Sequence, residues 1–410
     1  MTARLIQPDF LLAFDCKRSA CRRTCCRDWE VVLTRQEFEA RTSPELDPLA
    51  RALAAKTLIP NPNAQGDQDH ALAALRPDGF CSLLTEDHLC SWKNLRAEGL
   101  CAACNDFPNT SISFLEDEYL FPSLSCEAIV ELLLNKADPI RLAGEAIAQK
   151  QDRHLATIEN AHFAKRPLLE LYPKLIDWGL AILEDRRFPL DSRMTLLANA
   201  MSLIDWMERQ GRVAEVPDAM EKFLAPESLH GVLKKFAQHS FGPRAVLTVC
   251  GNALLRLAQH SAYGTPARRA LDGLGFEEVV TGEDGEERVA LKLADSEKYL
   301  NRKEKLHDLL REKETLLEHV MVCQYLRSMM PVAAGGVWEN FEFFNVCYAL
   351  VKGILVGSFD ATPDDAELVE AIVVIHRMFV HNYDAYHETV EFLKTMGHAD
   401  LLSMVALARG

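Results

Sequence analysis

The sequence predicts a mainly α protein: a small, irregular α+β, cysteine-rich metal-binding domain over residues 1–135, followed by an α-helical bundle domain over 136–410. Three observations carry that reading. Of twelve cysteines only Cys250, Cys323 and Cys347 fall outside Phe14–Cys126, which leaves nine in the front third. Beyond residue 140, helix-length amphipathic windows dominate. No glycine-rich phosphate-binding turn follows any predicted strand, which argues against a Rossmann-type fold.

Taken in order, the front third alternates short elements with turns. Trp29–Phe38 reads as a short strand leading into a helix, and Leu49–Lys56 is alanine-rich and helix-prone. Pro60, Asn61, Pro62, Asn63 and Gly66 mark a surface loop between two cysteine groups. Asp78-Gly79 and Thr85-Glu86-Asp87 signal turns around Cys81 and Cys90, a spacing that lets two thiols converge on one ion. Cys101-Ala102-Ala103-Cys104 follows, then a stop at Asn105–Asn109, a hairpin over Thr110–Leu124, and Cys126 at the start of a helix whose dipole favours its thiolate.

In the second part Pro139–Ala164, Leu168–Asp185, Ser192–Gln210, Ala219–Phe236 and Arg244–His260 read as helices. A hairpin insertion is predicted at 276–293 around Gly282–Gly285, then a long charged helix over Ser296–Met330. Trp338–Val356, Asp364–Phe379 and Asp384–Met396 complete the bundle.

Composition narrows the function. A chain of 410 residues buries a core without covalent staples, so stability alone does not call for so many thiols. The N-terminal apolar run Leu11–Phe14 is too short for a secretory signal, which places the protein in the reducing cytoplasm. There a dense cysteine set is metal-binding or catalytic rather than a disulfide framework. The most apolar window, Phe343–Phe359, is interrupted by Lys352 and falls short of the roughly 20 residues that span a bilayer, so no membrane partner is expected. A net charge of −15 argues against nucleic acid; it serves solubility first, and the sharper reading is a field that attracts a lysine-bearing protein partner.

Thiolates select zinc, copper(I) or iron–sulfur clusters over hard cations. Only Cys101/Cys104 has the paired spacing of a structural zinc site, and adjacent Cys25 and Cys26 are expected to point in different directions. The spacing CxxxCxxC is absent, because Cys21-x3-Cys25 is followed at once by Cys26, which disfavours a standard radical enzyme. Cys250, Cys323 and Cys347 read as small core hydrophobes.

The pattern Phe14-Asp15-Cys16-x4-Cys21-x3-Cys25-Cys26-x2-Trp29, with Asp78-Gly79-x-Cys81, Leu89-Cys90, Cys104-x2-Phe107-Pro108 and Leu124-Ser125-Cys126, resembles the flagellin lysine-N-methylase family. Glu318-His319 and Arg377-x3-His381-Asn382 resemble its C-terminal signatures. The sequence departs from that pattern at Cys101, where a small residue is usual, and at Glu127, where a proline is usual. The resemblance implies an S-adenosylmethionine-dependent lysine N-methyltransferase acting on flagellin or another lysine-bearing protein. It also implies an iron–sulfur cluster, expected to be 4Fe-4S with zinc as the alternative, on Cys16, Cys21, Cys25, Cys26, Cys81, Cys90, Cys104 and Cys126. The competing reading is a non-enzymatic iron- or zinc-chelating or redox-sensing interaction protein.

Methyl transfer to lysine needs the neutral amine, whose ammonium has a pKa of about 10.4, so the site must supply a proton acceptor. His381 is the expected acceptor, near Tyr383, Asp384, Tyr386 and His387. Trp29 and Phe107 are the expected cofactor contacts, and Trp92 and Tyr119 could also wall a cationic pocket. The donor is held either by the cluster or by protein groups alone.

Overall fold

The computed structural model describes residues 3–410 apart from 28–30, 97, 148–154, 240, 259–263, 282–287, 334 and 380–382. The chain divides into two compact units, Met1–Leu132 with Ala143–Ala156, and Leu133–Leu142 with Thr157–Gly410.

The first unit is built on two small sheets. Asn109–Phe114 and Asp117–Pro122 form the expected hairpin, paired from Asn109↔Pro122 to Phe114↔Asp117. Arg4–Pro8 joins it in parallel, with Leu5 opposite Glu118. The other sheet has the order Val31–Leu33, Ala71–Ala73, Leu58–Pro60, all antiparallel. Two short helices lie beside it and begin where the sequence offers caps. Thr34 and Glu37 form a reciprocal capping box on Arg35–Thr42, and Asp47 accepts from the Leu49 and Ala50 N–H groups at the head of Pro48–Thr57. Leu33, Ala54, Ala71, Leu83, Trp92 and Leu100 make the core here, and Cys81 and Cys101 belong to it.

Among the described residues, Pro139–Ala164 is not one helix; only Asn160–Phe163 is helical. Leu142–Ala146 and Ala156–Ile158 are instead the two edges of the five-stranded sheet. Tertiary pairing overrides the weak periodicity: the Ile147 N–H donates to Ala3 O at 2.9 Å and the Leu155 N–H to Ser111 O at 2.7 Å.

The second unit is helical apart from the hairpin Phe276–Thr281/Arg288–Leu293, which lies where the sequence placed it. Ala219–Phe236 is two helices, Val216–Phe223 and Pro226–Ala237, because Pro226 cannot continue the first but suits the start of the second. Ser296–Met330 is three, Ser296–Lys305, His307–Glu312 and Glu314–Arg327. Helices at Gly264–Gly273 and Leu401–Arg409 were not legible in the periodicity.

The central helix Val337–Ser358 is long and apolar enough to cross a membrane by composition, but 89% of its apolar window is buried inside the unit. Its neighbours approach closely through glycine: a Cβ on Gly273 would lie 1.8 Å from the Gly357 carbonyl oxygen. Lys352, which interrupts the apolar run, donates to Asp191 Oδ1 at 2.8 Å and to the Ala408 carbonyl at 3.0 Å. Its charge is therefore compensated within the core.

Glu318 and His319 sit in the middle of Glu314–Arg327, wholly buried. The Glu318 carboxylate accepts from Arg186 at 2.8 Å and from Arg193, whose other arm reaches Glu314 at 2.6 Å. Arg186 also donates to the Ala137 carbonyl at 2.6 Å, and His319 lies 3.1 Å from the Asp138 carbonyl, so the network fastens the 133–142 segment to the second unit. Removing the carboxylate would leave the buried Arg193 guanidinium without its inner partner and the partly exposed Arg186 without its ion pair. Glu318→Ala is expected to cost about 3–5 kcal/mol in urea unfolding; a loss below about 1 kcal/mol, the range of an exposed pair, would refute this role.

Candidate functional site

All twelve cysteines carry free thiols, and the nine in the first unit fall into two sets whose thiols influence one another electrostatically. The first comprises Cys16, Cys21, Cys25 and Cys126. Cys126 directly precedes the helix Glu127–Leu134, as expected, but the net effect on its thiol is opposite to the expectation. Burial pushes it up to about 11, the Cys25 and Cys16 sulfurs add to this, and the Ala128 and Ile129 N–H groups at the helix start only partly offset it.

Glu127 fixes this group. Its Oε2 accepts from the Arg22 N–H at 2.8 Å and the Arg23 N–H at 3.0 Å, and its other oxygen pairs with Lys17. Cys21 Sγ lies 3.6 Å from the same Oε2 and 3.3 Å from the Arg23 carbonyl oxygen. Burial raises the Glu127 carboxyl, but Lys17 and the two N–H donors more than offset it and hold the carboxyl below its ordinary range. The Cys21 thiol moves the other way, up to about 12, first through burial and then through the adjacent carboxylate. Glu127 therefore clasps the loop bearing Cys16, Cys21 and Cys25 to the helix behind Cys126. The sequence offered it only as a departure from the family pattern.

The second group is Cys26, Cys81, Cys90, Cys101 and Cys104. The Cys81 N–H donates to the Cys26 carbonyl at 2.8 Å. Bridges Leu75↔Cys81 and Leu84↔Cys90 fold the two expected turns, with Gly79 and His88 at positive φ, so that the Cys81 and Cys90 thiols are neighbours. Glu37, already half of a capping box, uses its other oxygen to accept from the Ala102 N–H at 2.7 Å. That contact seats the short helix Ala102–Asp106 and with it Cys104. Gly99 is required beside it, because a Cβ there would lie 2.8 Å from Cys104 Cβ.

Cys101 and Cys104 hold their sulfurs 3.7 Å apart. Their mutual hydrogen bond holds Cys101 below the ordinary thiol range and raises Cys104. Cys101, left out of the expected ligand set, is thus as much part of the sulfur group as its neighbours. Cys25 and Cys26 do not diverge as expected: their thiols are hydrogen-bonded, which is the main reason Cys26 is raised, and they join the two groups.

Two thiolates on one tetrahedral zinc are separated by about 3.8 Å, given Zn–S of about 2.3 Å, and Cys101/Cys104 meets this. A full shell is not assembled: among the described residues no three His, Cys, Asp or Glu side chains converge to hold an ion. The donor type and one pair spacing fit a soft metal; the other sulfurs do not complete a shell.

Of the other expected residues, Trp29 and His381 lie outside the described residues. Phe107 is half-buried at the end of the Cys104 helix. Trp92 and Tyr119 are core residues and wall no pocket: Trp92 is enclosed with Arg41 5.6 Å over its ring, and Tyr119 packs against Phe114 and Phe121.

In the second unit the sequence reading missed Glu342. It is 4% exposed on the central helix, and its Oε2 has no hydrogen-bond partner. Lys394, from the helix Tyr383–Thr395 that starts just after His381, places its ammonium 3.7 Å from that oxygen, 3.1 Å from Glu339 and 3.0 Å from Glu391. Burial, with smaller contributions from Glu339 and Glu391, pushes the Glu342 carboxyl up to about 7. The available signal was a lone Glu three residues before Asn345 and four before Val346, both in the core.

A match to the FliB lysine N-methylase C-terminal domain covers residues 179–407, more than half of the chain. The chain belongs to the FliB lysine N-methylase family. It is similar to the lysine-N-methylase of Salmonella typhimurium, 29% identical over 147 residues, which is 35% of this chain and 36% of that protein. The flagellar biosynthetic protein FliU of Salmonella muenchen is 28% identical over 139 residues, 33% of this chain and 80% of that protein. The match thus spans about a third of the length of the curated FliB-type lysine-N-methylases. No solved structure gives a significant match.

Glu127 is the residue whose loss tests the first thiol group. Charge-assisted hydrogen bonds of its kind contribute about 1.5–3 kcal/mol, and Glu127→Gln should lose about that much stability at pH 7. Because the folded carboxyl is depressed, its contribution is present above the ordinary value of about 4.3 and vanishes as pH falls through the lowered one. Unfolding curves of variant and wild type should therefore converge in acid; a gap that persists unchanged at pH 3 would show the carboxylate is not responsible.

Proposed function

We propose that this chain is a cytoplasmic, S-adenosylmethionine-dependent protein-lysine N-methyltransferase acting on flagellin, with an iron–sulfur cluster on the thiols of its first unit. The observation that carries the reading is the FliB match over 179–407 in a chain whose front unit gathers nine free thiols. The names of its relatives, a lysine-N-methylase and a flagellar biosynthetic protein, support the substrate class.

Cys16, Cys21, Cys25 and Cys126 on one side, and Cys26, Cys81, Cys90 and Cys104 with Cys101 on the other, are the soft donors for the cluster. Metal uptake there must release protons, since burial keeps Cys21 and Cys126 protonated at neutral pH. When bound, the cluster supplies a soft cationic anchor for loops that lack regular hydrogen bonding.

In the transfer itself the lone pair of the substrate Nζ attacks the donor methyl carbon, and the carbon–sulfur bond breaks with its electron pair passing to sulfur. The amine must first lose a proton. Glu342 takes it: its carboxyl titrates near neutrality, its Oε2 accepts no hydrogen bond, and the Lys394 ammonium lies 3.7 Å from that oxygen. A base with a pKa near the working pH suits that task.

Mass spectrometry of flagellin after incubation with anaerobically purified protein and S-adenosylmethionine is expected to show methylated lysines. Metal-bound protein that transfers no methyl would favour the chelating or redox-sensing reading instead. Glu342→Gln should lower kcat on the order of 100-fold. The wild-type rate should rise with pH to a plateau above about 7 and the variant should lose that limb; an unaltered profile would remove Glu342 from the reaction.

A further inference from the structure

Two thiols in contact can close on each other as well as on a metal. Cys101 and Cys104 are both free, with their sulfurs 3.7 Å apart. The chain between them wraps a single turn, in which the Cys104 and Asn105 N–H groups donate to the Cys101 carbonyl at 3.1 and 3.2 Å. Anchors on either side hold that turn. Arg41 donates to the Leu100 carbonyl at 2.9 Å, Glu37 accepts from the Ala102 N–H at 2.7 Å, and Asn105 Oδ1 accepts from the Gly99 N–H at 2.5 Å. Only side-chain movement then separates the two sulfurs from a bond of about 2.0 Å. Cys25 and Cys26 are also in contact but are poorly suited to the same bond. Adjacent residues have Cα atoms about 3.8 Å apart, short of the roughly 4.4 Å at which disulfides are ordinarily found.

The two thiols differ in access. Cys101 is 1% exposed, whereas Cys104 is partly exposed. That asymmetry suits a redox pair, in which a reachable sulfur meets the oxidant and a resolving sulfur waits behind it. We propose that Cys101 and Cys104 are a reversible dithiol–disulfide couple, Cys104 meeting a small-molecule disulfide of the glutathione class and Cys101 resolving the product.

The exchange balances without any further oxidant. The proton shared across the sulfur contact moves to Cys101, and the Cys104 thiolate attacks one sulfur of the small disulfide and expels a thiolate. Cys101 then attacks Cys104 Sγ, displaces the second small thiol, and gives its proton to it. The cysteine pair loses two electrons and the small disulfide gains them. Once joined, Cys104 has no thiolate to offer a soft metal; that consequence rests on the metal reading above, and the couple itself does not.

Full-length protein equilibrated in glutathione buffers of increasing oxidation, then alkylated and read by peptide mass spectrometry, tests this. Wild type should lose alkylation at Cys101 and Cys104 together, with fragment masses placing one bond between them, and dithiothreitol should restore both thiols. Cys101→Ala removes the resolving sulfur and should keep glutathione on Cys104, at about 10-fold the wild-type level or more. Should that variant not fold, Cys101→Ser serves, with the same adduct expected. Glutathione retained on wild-type Cys104 with Cys101 still alkylated would overturn the proposal, as would a bond from either cysteine to Cys81, or a pair still reduced in the most oxidising buffer. Metal content measured alongside separates the two readings: the bond formed in protein that never held metal leaves the couple standing and removes only its consequence for the cluster.

Discussion

The clasp made by Glu127 is the interaction on which the front of the molecule depends. Residues 17–23 make few regular backbone hydrogen bonds, and what holds them is one carboxylate at the start of a helix, bonded to two N–H groups and a lysine. Through it, Cys16, Cys21 and Cys25 stay beside Cys126. The same carboxylate sits against the Cys21 sulfur and opposes its ionisation, so the contact that assembles the group also keeps it protonated.

The helical unit shows the complementary rule. Most of its buried charges are satisfied: Glu318 has two arginines, and Lys352 has Asp191 and a carbonyl. Such pairs fix how helices meet and leave nothing over for a ligand. Glu342 differs, with a buried oxygen that accepts no hydrogen bond. Unsatisfied buried polar groups are costly, which is why the proposed proton acceptor is Glu342 rather than the well-paired Glu318-His319.

Much of the fold was legible in the sequence. The strand leading into a helix within Trp29–Phe38, the turn at Asp78-Gly79, the hairpin over 109–122 and the long central helix all follow from local chemistry. What failed was whatever tertiary pairing decides. Pro139–Ala164 has a helical period yet supplies two edge strands, because an open sheet offers partners the isolated segment lacks. Of the site, the cysteines and their grouping by turns could be read directly. Cys101 could not, since its role depends on a 3.7 Å approach to Cys104 rather than on a family pattern. Glu127 and Glu342 carry no spacing signal; burial and the absence or presence of a partner distinguish them, and neither is written in one dimension.

The central claim is that the sulfurs of the first unit gather around iron. X-ray absorption at the iron and zinc edges of protein purified without oxygen tests it most directly. Iron in a shell of sulfur, lost when Cys81 or Cys104 is replaced, is the predicted result. Zinc alone, or metal-free protein that still methylates flagellin, would contradict it.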